Sequence, residues 1–125
     1  MASTIADYLE LLETSFSTAE AARHLKVDVS RIQQRLRERS LFGIDNDGEM
    51  RLPRFQFARN QVLPGLRAVL GALPASLNPL DVAAWFLLPN PDLEITGKES
   101  PVSPREWLLR GAAIDTVVAL ARGLE

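Results

Sequence analysis

AEAARHLKVDVSRIQQRL, residues 19–36, holds two short apolar repeats at helical spacing, parted by Lys26, Val27 and Asp28. Ala19, Ala22 and Leu25 line one face of the first repeat, and Val29, Ile32 and Leu36 line one face of the second. Ser17 or Thr18 followed by Glu20 is a helix-start signature for the first. Asp28 is expected to cap the second, because its carboxylate can accept the unpaired amides of the first turn. Ala22 is small enough for the two helices to cross closely, and Val27 plugs the turn. With Val29, Ile32 and Leu36 inward, the outer face presents Ser30, Arg31, Gln33, Gln34 and Arg37. Glutamine can pair bidentately with adenine and arginine with guanine in the major groove, so this face has the chemistry of a DNA reader. The plainer alternative is a solvated helix in a structural hairpin.

Charge distribution sharpens that reading. Fourteen basic against sixteen acidic residues give a net charge of −2, which argues against general stickiness for nucleic acid. Yet residues 23–39 hold Arg23, Lys26, Arg31, Arg35, Arg37 and Arg39 against only Asp28 and Glu38, and residues 51–67 add Arg51, Arg54, Arg59 and Arg67 with no acid. Residues 1–20 carry Asp7, Glu10, Glu13 and Glu20 and no Lys or Arg. Local basicity on an acidic protein predicts a small, directed surface.

Outward from the quoted stretch, Ile5, Tyr8, Leu9 and Leu12 predict an amphipathic helix over 3–14, capped by Ser3 or Thr4. Downstream, Ile44, the run Asp45-Asn46-Asp47-Gly48, and Met50 to Leu52 predict a β-hairpin, whose second arm Pro53 should confine to an edge. Phe55 and Phe57 are expected to fold back onto the helices. Periodicity predicts helix over 59–73, with Pro64 and Gly65 as a break or new start.

Six of the eight prolines lie between Pro74 and Pro104, so this stretch should consist of short elements with sharp ends. Asn78, Pro79 and Asp81 start a helix carrying Val82, Trp85, Phe86 and Leu88. Residues 89–102 read as a long, flexible loop. Ser103, Pro104 and Glu106 start another helix that Gly111 stops, and a last helix runs to Arg122 with Gly123 as its stop.

The chain has 125 residues, 46% of them hydrophobic and 24% charged, with no apolar run long enough to span a membrane. Its start lacks the basic, apolar and small-residue series of an export signal, so a cytoplasmic location is expected. Zero cysteines and one histidine, His24, exclude a thiolate nucleophile and a Cys/His zinc site. His24 reads as a surface or partly buried residue without a catalytic task, and Trp85 and Trp107 read as core. Asp81 is accounted for by capping, and Asp92 and Glu94 by loop solvation. No enzyme activity, metal or cofactor is expected.

The run at 19–36 followed by LFGIDNDGEMRLPRFQF, residues 41–57, resembles the winged helix-turn-helix of the excisionase and MerR-like group. The resemblance implies that the hairpin touches the DNA backbone or minor groove, with Arg51 and Arg54 as phosphate contacts. Ordinary exposed arginines are the alternative. Lys26 stands where such motifs usually have glycine, which predicts a strained turn.

LNPLDVAAWFLLPNPDLE (77–94), SPREWLLRG (103–111) and IDTVVALARGLE (114–125) are similar, in order, to the C-terminal toxin-binding domain of the Xre/MbcA/ParS antitoxin family. This resemblance implies a type II toxin-antitoxin module in which the chain binds and neutralises a RES-domain toxin that consumes NAD or transfers ADP-ribose, and represses its own operon. The expected fold is then mainly α: a winged helix-turn-helix DNA-binding part over 1–57 with a small β-hairpin, a connecting helix over 58–73, and a helical toxin-binding domain over 74–125. The expected partners are operator double-stranded DNA and the toxin, in a homodimer or a hetero-oligomer with the toxin, and no membrane. A cleft for an anionic dinucleotide attracts cations, which makes Arg110 and Arg122 candidates for toxin contact, and the terminal Gly123, Leu124 and Glu125 are short enough to thread into a pocket, with the loop around Asn90 and Leu93 as the other candidate surface. Arg122 complementing its helix dipole is the simpler account of that residue. The other functional reading is a stand-alone winged helix-turn-helix regulator or excisionase-like DNA-binding protein.

Overall fold

Ser17 and Glu20 begin the helix pair with two reciprocal bonds. The Glu20 amide donates to Ser17 Oγ at 3.1 Å and the Ser17 amide donates to Glu20 Oε1 at 2.7 Å. The computed structural model describes residues 4–97 and 99–124, with the Thr4 and Ile5 side chains, Ser3 and Glu125 outside the description. Helix α1 (Thr4–Glu13) precedes a two-residue strand, β1 (Phe16–Ser17), then α2 (Thr18–Leu25) and α3 (Val29–Arg37). Ala21 and Ala22 are buried where α2 meets α3, and Ile32 is the fully buried residue of α3. Two expectations shift. Ala19 lies exposed on the first turn of α2 and Ala21 packs in its stead, while Val29 at the start of α3 is 39% exposed. Asp28 holds the capping position, but its carboxylate makes no capping bond.

Both helices end in the same way. Lys26 takes φ 59°, ψ 46°, its amide donating to Arg23 and the Val27 amide to Ala22 at 3.0 Å. At the end of α3, Arg39 takes φ 60°, with the Ser40 amide donating to Arg35 at 2.9 Å and the Arg39 amide to Leu36 at 3.2 Å. Each is a Schellman closure, in which a left-handed residue lets the last carbonyls find donors. Glycine suits that conformation best, and here lysine and arginine adopt it.

The expected hairpin forms from β2 (Ile44–Asn46) and β3 (Glu49–Leu52), with Asp47 and Gly48 both at positive φ in a two-residue turn. Gly48 donates to Asp45 Oδ1 at 2.8 Å. β3 is not an edge: β1 pairs along its other side, Phe16 opposite Leu52 and Ser17 opposite Arg51, so the order is β1-β3-β2. Pro53 follows the last paired residue and costs the ladder nothing. Gly43 lies close under two side chains, since a Cβ there would come within 2.5 Å of Met50 Sδ and 2.8 Å of Leu36 Cδ2 and those flexible ends would have to move aside.

Residues 59–65 depart from the expected helix over 59–73. Arg54–Gln56 form a 3-10 turn, and β4 (Phe57–Ala58) pairs with β5 (Gln61–Val62) around a turn in which Arg59 has φ 56°. Phe55 and Phe57 fold back into the core as expected, Phe57 meeting the rings of Phe16 and His24. Gln56, fully buried, accepts from the Phe42 amide at 2.7 Å and donates to the Phe42 and Pro53 carbonyls at 2.8 and 3.0 Å. Helix is confined to α4 (Leu66–Ala72), after Pro64 and a left-handed Gly65.

In the second half α5 (Pro79–Leu87) is capped by Asn78, whose Oδ1 accepts from the Asp81 amide at 2.9 Å, and α6 (Pro104–Leu109) by Ser103, which accepts from the Glu106 amide at 3.0 Å. Val82, Ala83 and Phe86 face inward, whereas Leu88 is 61% exposed. Between these helices the expected loop carries no regular element, yet its ends are clasped: Asn90 and Val102 amides donate to the Val102 and Leu93 carbonyls, and Leu93 and Val102 are buried. α7 (Ile114–Arg122) packs on α4 and α6. The buried side chains form one cluster that runs from Ala21 to Ala121, and the Phe55 ring stacks on Phe86 of α5 at 4.9 Å. The chain is thus mainly helical with small antiparallel sheets, and no helix among the described residues is long and apolar enough to cross a membrane.

Candidate nucleic-acid interface

Because Ile32 anchors α3 from below, helical spacing turns Ser30, Arg31, Gln33, Gln34 and Arg37 outward, and all five are exposed. Beside them an open hollow of about 640 Å³ is lined by Lys26, Val27, Asp28, Ser30, Arg31, Gln34 and Arg37. On the other flank of α3 a second hollow of about 360 Å³ is lined by Arg31, Gln34, Arg35, Glu38, Ser40, Val62 and Arg67. The expected reading residues are thereby brought together on one continuous basic face. Gln34 Nε2 donates to Glu38 Oε2 at 3.0 Å, so it must exchange that partner to reach a base edge.

The arginines divide by what already occupies them. Arg51 is engaged inside the fold: its Nε and NH2 donate to Ser15 Oγ and the Ser15 carbonyl at 2.9 and 2.7 Å, with Glu49 at 3.8 Å and Glu20 at 3.9 Å. Ser15 Oγ in turn donates to the Leu12 carbonyl, so this cluster ties the end of α1 to β3. Arg54 is exposed, but its guanidinium lies 4.4 Å over the Phe16 ring. Neither stands as the free phosphate contact expected of a wing. Among the described residues, by contrast, Lys26, Arg31, Arg35, Arg37, Arg39, Arg59 and Arg67 make no side-chain hydrogen bond or ion pair. Long basic side chains without internal partners keep their donors for an anion.

Glu20 is electrostatically tuned by its capping partner. The bond from the Ser17 amide holds its carboxyl below the usual carboxylate value, with the Ser17 hydroxyl and then Arg51 and Arg23 adding to the effect. His24 is half-buried and meets the rings of Phe16 at 5.0 Å and Phe57 at 5.6 Å, and its Nε2 has no partner. Trp85 is likewise half-buried with an unpartnered Nε1, whereas Trp107 Nε1 donates to the Ala113 carbonyl at 2.8 Å.

The candidates for toxin contact are held by separate local bonds. Leu93 is fully buried and belongs to the core, because the Asn90–Leu93 turn folds it inward. Asn90 Oδ1 accepts from the Asp92 amide at 2.9 Å. Arg110 is exposed and pairs with Glu106 one turn earlier, at 2.7 Å. Arg122 is exposed in the last turn of α7, and Glu125 lies outside the described residues. Sequence reasoning missed Arg105, whose Nε and NH2 donate to the Phe55 and Phe57 carbonyls at 2.7 and 2.8 Å. It also left Arg35 and Arg67 out of the site; the acid-free run from 51 to 67 was the available signal for the latter.

No family model and no curated protein matches the chain. Among solved structures, the NMR structure of Rv2175c is similar to it, with a TM-score of 0.60 and 26% sequence identity, covering 86% of this chain and 80% of that one.

Proposed function

We propose that the chain is a duplex-DNA-binding regulator of the winged helix-turn-helix type, with α3 as the helix that enters the major groove. The observation that carries this reading is the segregation of unpartnered cations: Lys26, Arg31, Arg35, Arg37 and Arg67 line the two flanks of α3, on a protein of net charge −2. Ser30, Gln33 and Gln34 supply the uncharged donors and acceptors that discriminate base edges, while the cations hold phosphates. One such module has a small interface, so a homodimer on paired half-sites fits tight binding.

The test is affinity of the full chain for a duplex selected from a random pool against a scrambled duplex. Gln34→Ala and Arg37→Ala should each cost about 1–3 kcal/mol on the selected duplex and less on the scrambled one. Equal losses on both would remove the base-reading role, and absence of any selected sequence would remove the function.

A second reading adds a protein partner to the same DNA-binding half: an antitoxin for a RES-domain toxin. It is favoured by an apolar hollow of about 620 Å³ between α1 and α5, where Leu11, Leu80, Leu87 and Leu88 are rimmed by Asp7, Glu10 and Asp81. Leu87 and Leu88 are 51% and 61% exposed, more than a lone monomer needs to leave open at the end of one helix. Co-expression with the product of the adjacent gene tests it. A stable complex that stops NAD consumption supports the antitoxin reading, and free toxin activity in the presence of the chain removes it.

A further inference from the structure

The β2–β3 hairpin occupies the position in the chain where a wing is expected, yet its tip is acidic. Asp45, Asp47 and Glu49 are all exposed there, and the one arginine of β3 is spent on Ser15, Glu20 and Glu49. Three carboxylates brought against a phosphate backbone would be repelled. On the α4 side of α3 the signs are reversed. Arg35 of α3 and Arg67 of α4 line a single hollow together with Val62 of β5 and one acid, Glu38, whose carboxylate accepts from Gln34, and Arg59 stands exposed at the tip of the hairpin to which β5 belongs. None of the three has an internal partner among the described residues, and the stretch from Leu52 to Leu80 contains no acid.

We propose that the duplex backbone is clamped on this side, by Arg35 and Arg67 across the hollow and by Arg59 on the β4–β5 hairpin, while the β2–β3 hairpin stands away from the phosphates. The inference rests on the DNA-binding reading and deepens it: α3 reads bases, and the second hairpin with the start of α4 acts as the wing. Arginine suits this role because its planar fork can meet two phosphate oxygens at once. Val62 gives the hollow an apolar floor against which the Arg67 stem can lie.

Each phosphate contact releases condensed counterions and adds about 0.9 to the slope of log affinity against log salt. The experiment is therefore fluorescence anisotropy of the full chain on a labelled mixed-sequence duplex over a range of salt, with circular dichroism of each variant as the folding control. Arg59→Ala and Arg67→Ala should each lower the salt slope by about one and weaken selected and scrambled duplexes by the same factor, and the double variant should lower it by about two. Asp47→Asn, which keeps the turn geometry, should leave affinity and slope unchanged. If Arg67→Ala loses its fold, Arg67→Gln keeps the stem against Val62 and answers the same question. Unchanged slopes for Arg59 and Arg67 variants, with a lowered slope for Arg37→Ala, would overturn the clamp and leave DNA binding standing. A rise in affinity for Asp47→Asn would also overturn it, by putting the acidic hairpin at the backbone. Failure of the unsubstituted chain to bind any duplex would overturn the DNA-binding reading and the clamp together.

Discussion

Arg105 and Phe55 are fifty residues apart in the chain, and the guanidinium Nε of one donates to the carbonyl oxygen of the other at 2.7 Å. NH2 of the same side chain satisfies the Phe57 carbonyl, so one cation on α6 fixes both ends of the turn that delivers two phenylalanines to the core. Arg105→Ala leaves both carbonyls without a charged donor and should lower the unfolding free energy by about 2–3 kcal/mol, read from the urea midpoint. Arg105→Lys should recover less than half, because a single ammonium does not reproduce the two-pronged fork.

The same contacts bear on where the chain can be cut. A fragment beginning at residue 58 loses Phe55 and Phe57, which leaves Phe86 without its stacking partner and Arg105 without its carbonyls. Such a fragment should show no cooperative thermal transition by circular dichroism. A sharp transition would mean that residues 58–125 fold alone.

Lys26 adopts a left-handed conformation that costs a residue with a Cβ about 1–2 kcal/mol, whereas glycine enters it freely at the expense of a more mobile unfolded chain. Lys26→Gly should raise stability by up to about 1 kcal/mol in urea unfolding. It should also weaken duplex binding, since Lys26 lines the hollow beside α3. Opposite signs in the two measurements would mark the lysine as kept for its charge.

Glu20 supplies a pH dependence with a definite sign. Its carboxyl is lowered from 4.5 in the folded chain, chiefly by the Ser17 amide, so its contribution is present above about 4.5 and fades as the pH falls through the lower folded value. Glu20→Gln keeps an acceptor that does not titrate, so the fall in thermal midpoint between about pH 5 and pH 3 should be shallower in this variant. Parallel acid limbs in the two proteins would assign the acid sensitivity to other carboxylates.

Much of the helical framework is legible in the sequence because its signals are local. Ser17 with Glu20, Asn78 with Asp81, and Ser103 with Glu106 each declare a helix start within four residues, and Asp47-Gly48 declares the turn. The two-residue strands are not legible, since Phe16-Ser17 and Phe57-Ala58 are too short to show alternation and exist only through partners elsewhere in the chain. Apolar spacing over 59–73 fits a helix equally well, and it is the pairing of Gln61 and Val62 with Ala58 and Phe57 that excludes one from its start. At the site, the outward face of α3 follows from spacing alone. Which arginines are free to bind does not: Arg51 and Arg67 look alike in sequence, and they are separated by contacts to Ser15 that span 36 positions.

The clasp between Asn90 and Val102 anchors both ends of the loop, and Leu93 and Ile95 pack its first part against the core. With Leu93 buried on one side and Val102 on the other, the exposed stretch near Gly97, Glu99 and Ser100 is attached at anchored ends, so added mass there should transmit little strain to the helices. The chain has no cysteine, so Ser100→Cys would be its single thiol and would accept a fluorophore or spin label at one defined place. The protein thus comes with a built-in attachment point for an optical reporter.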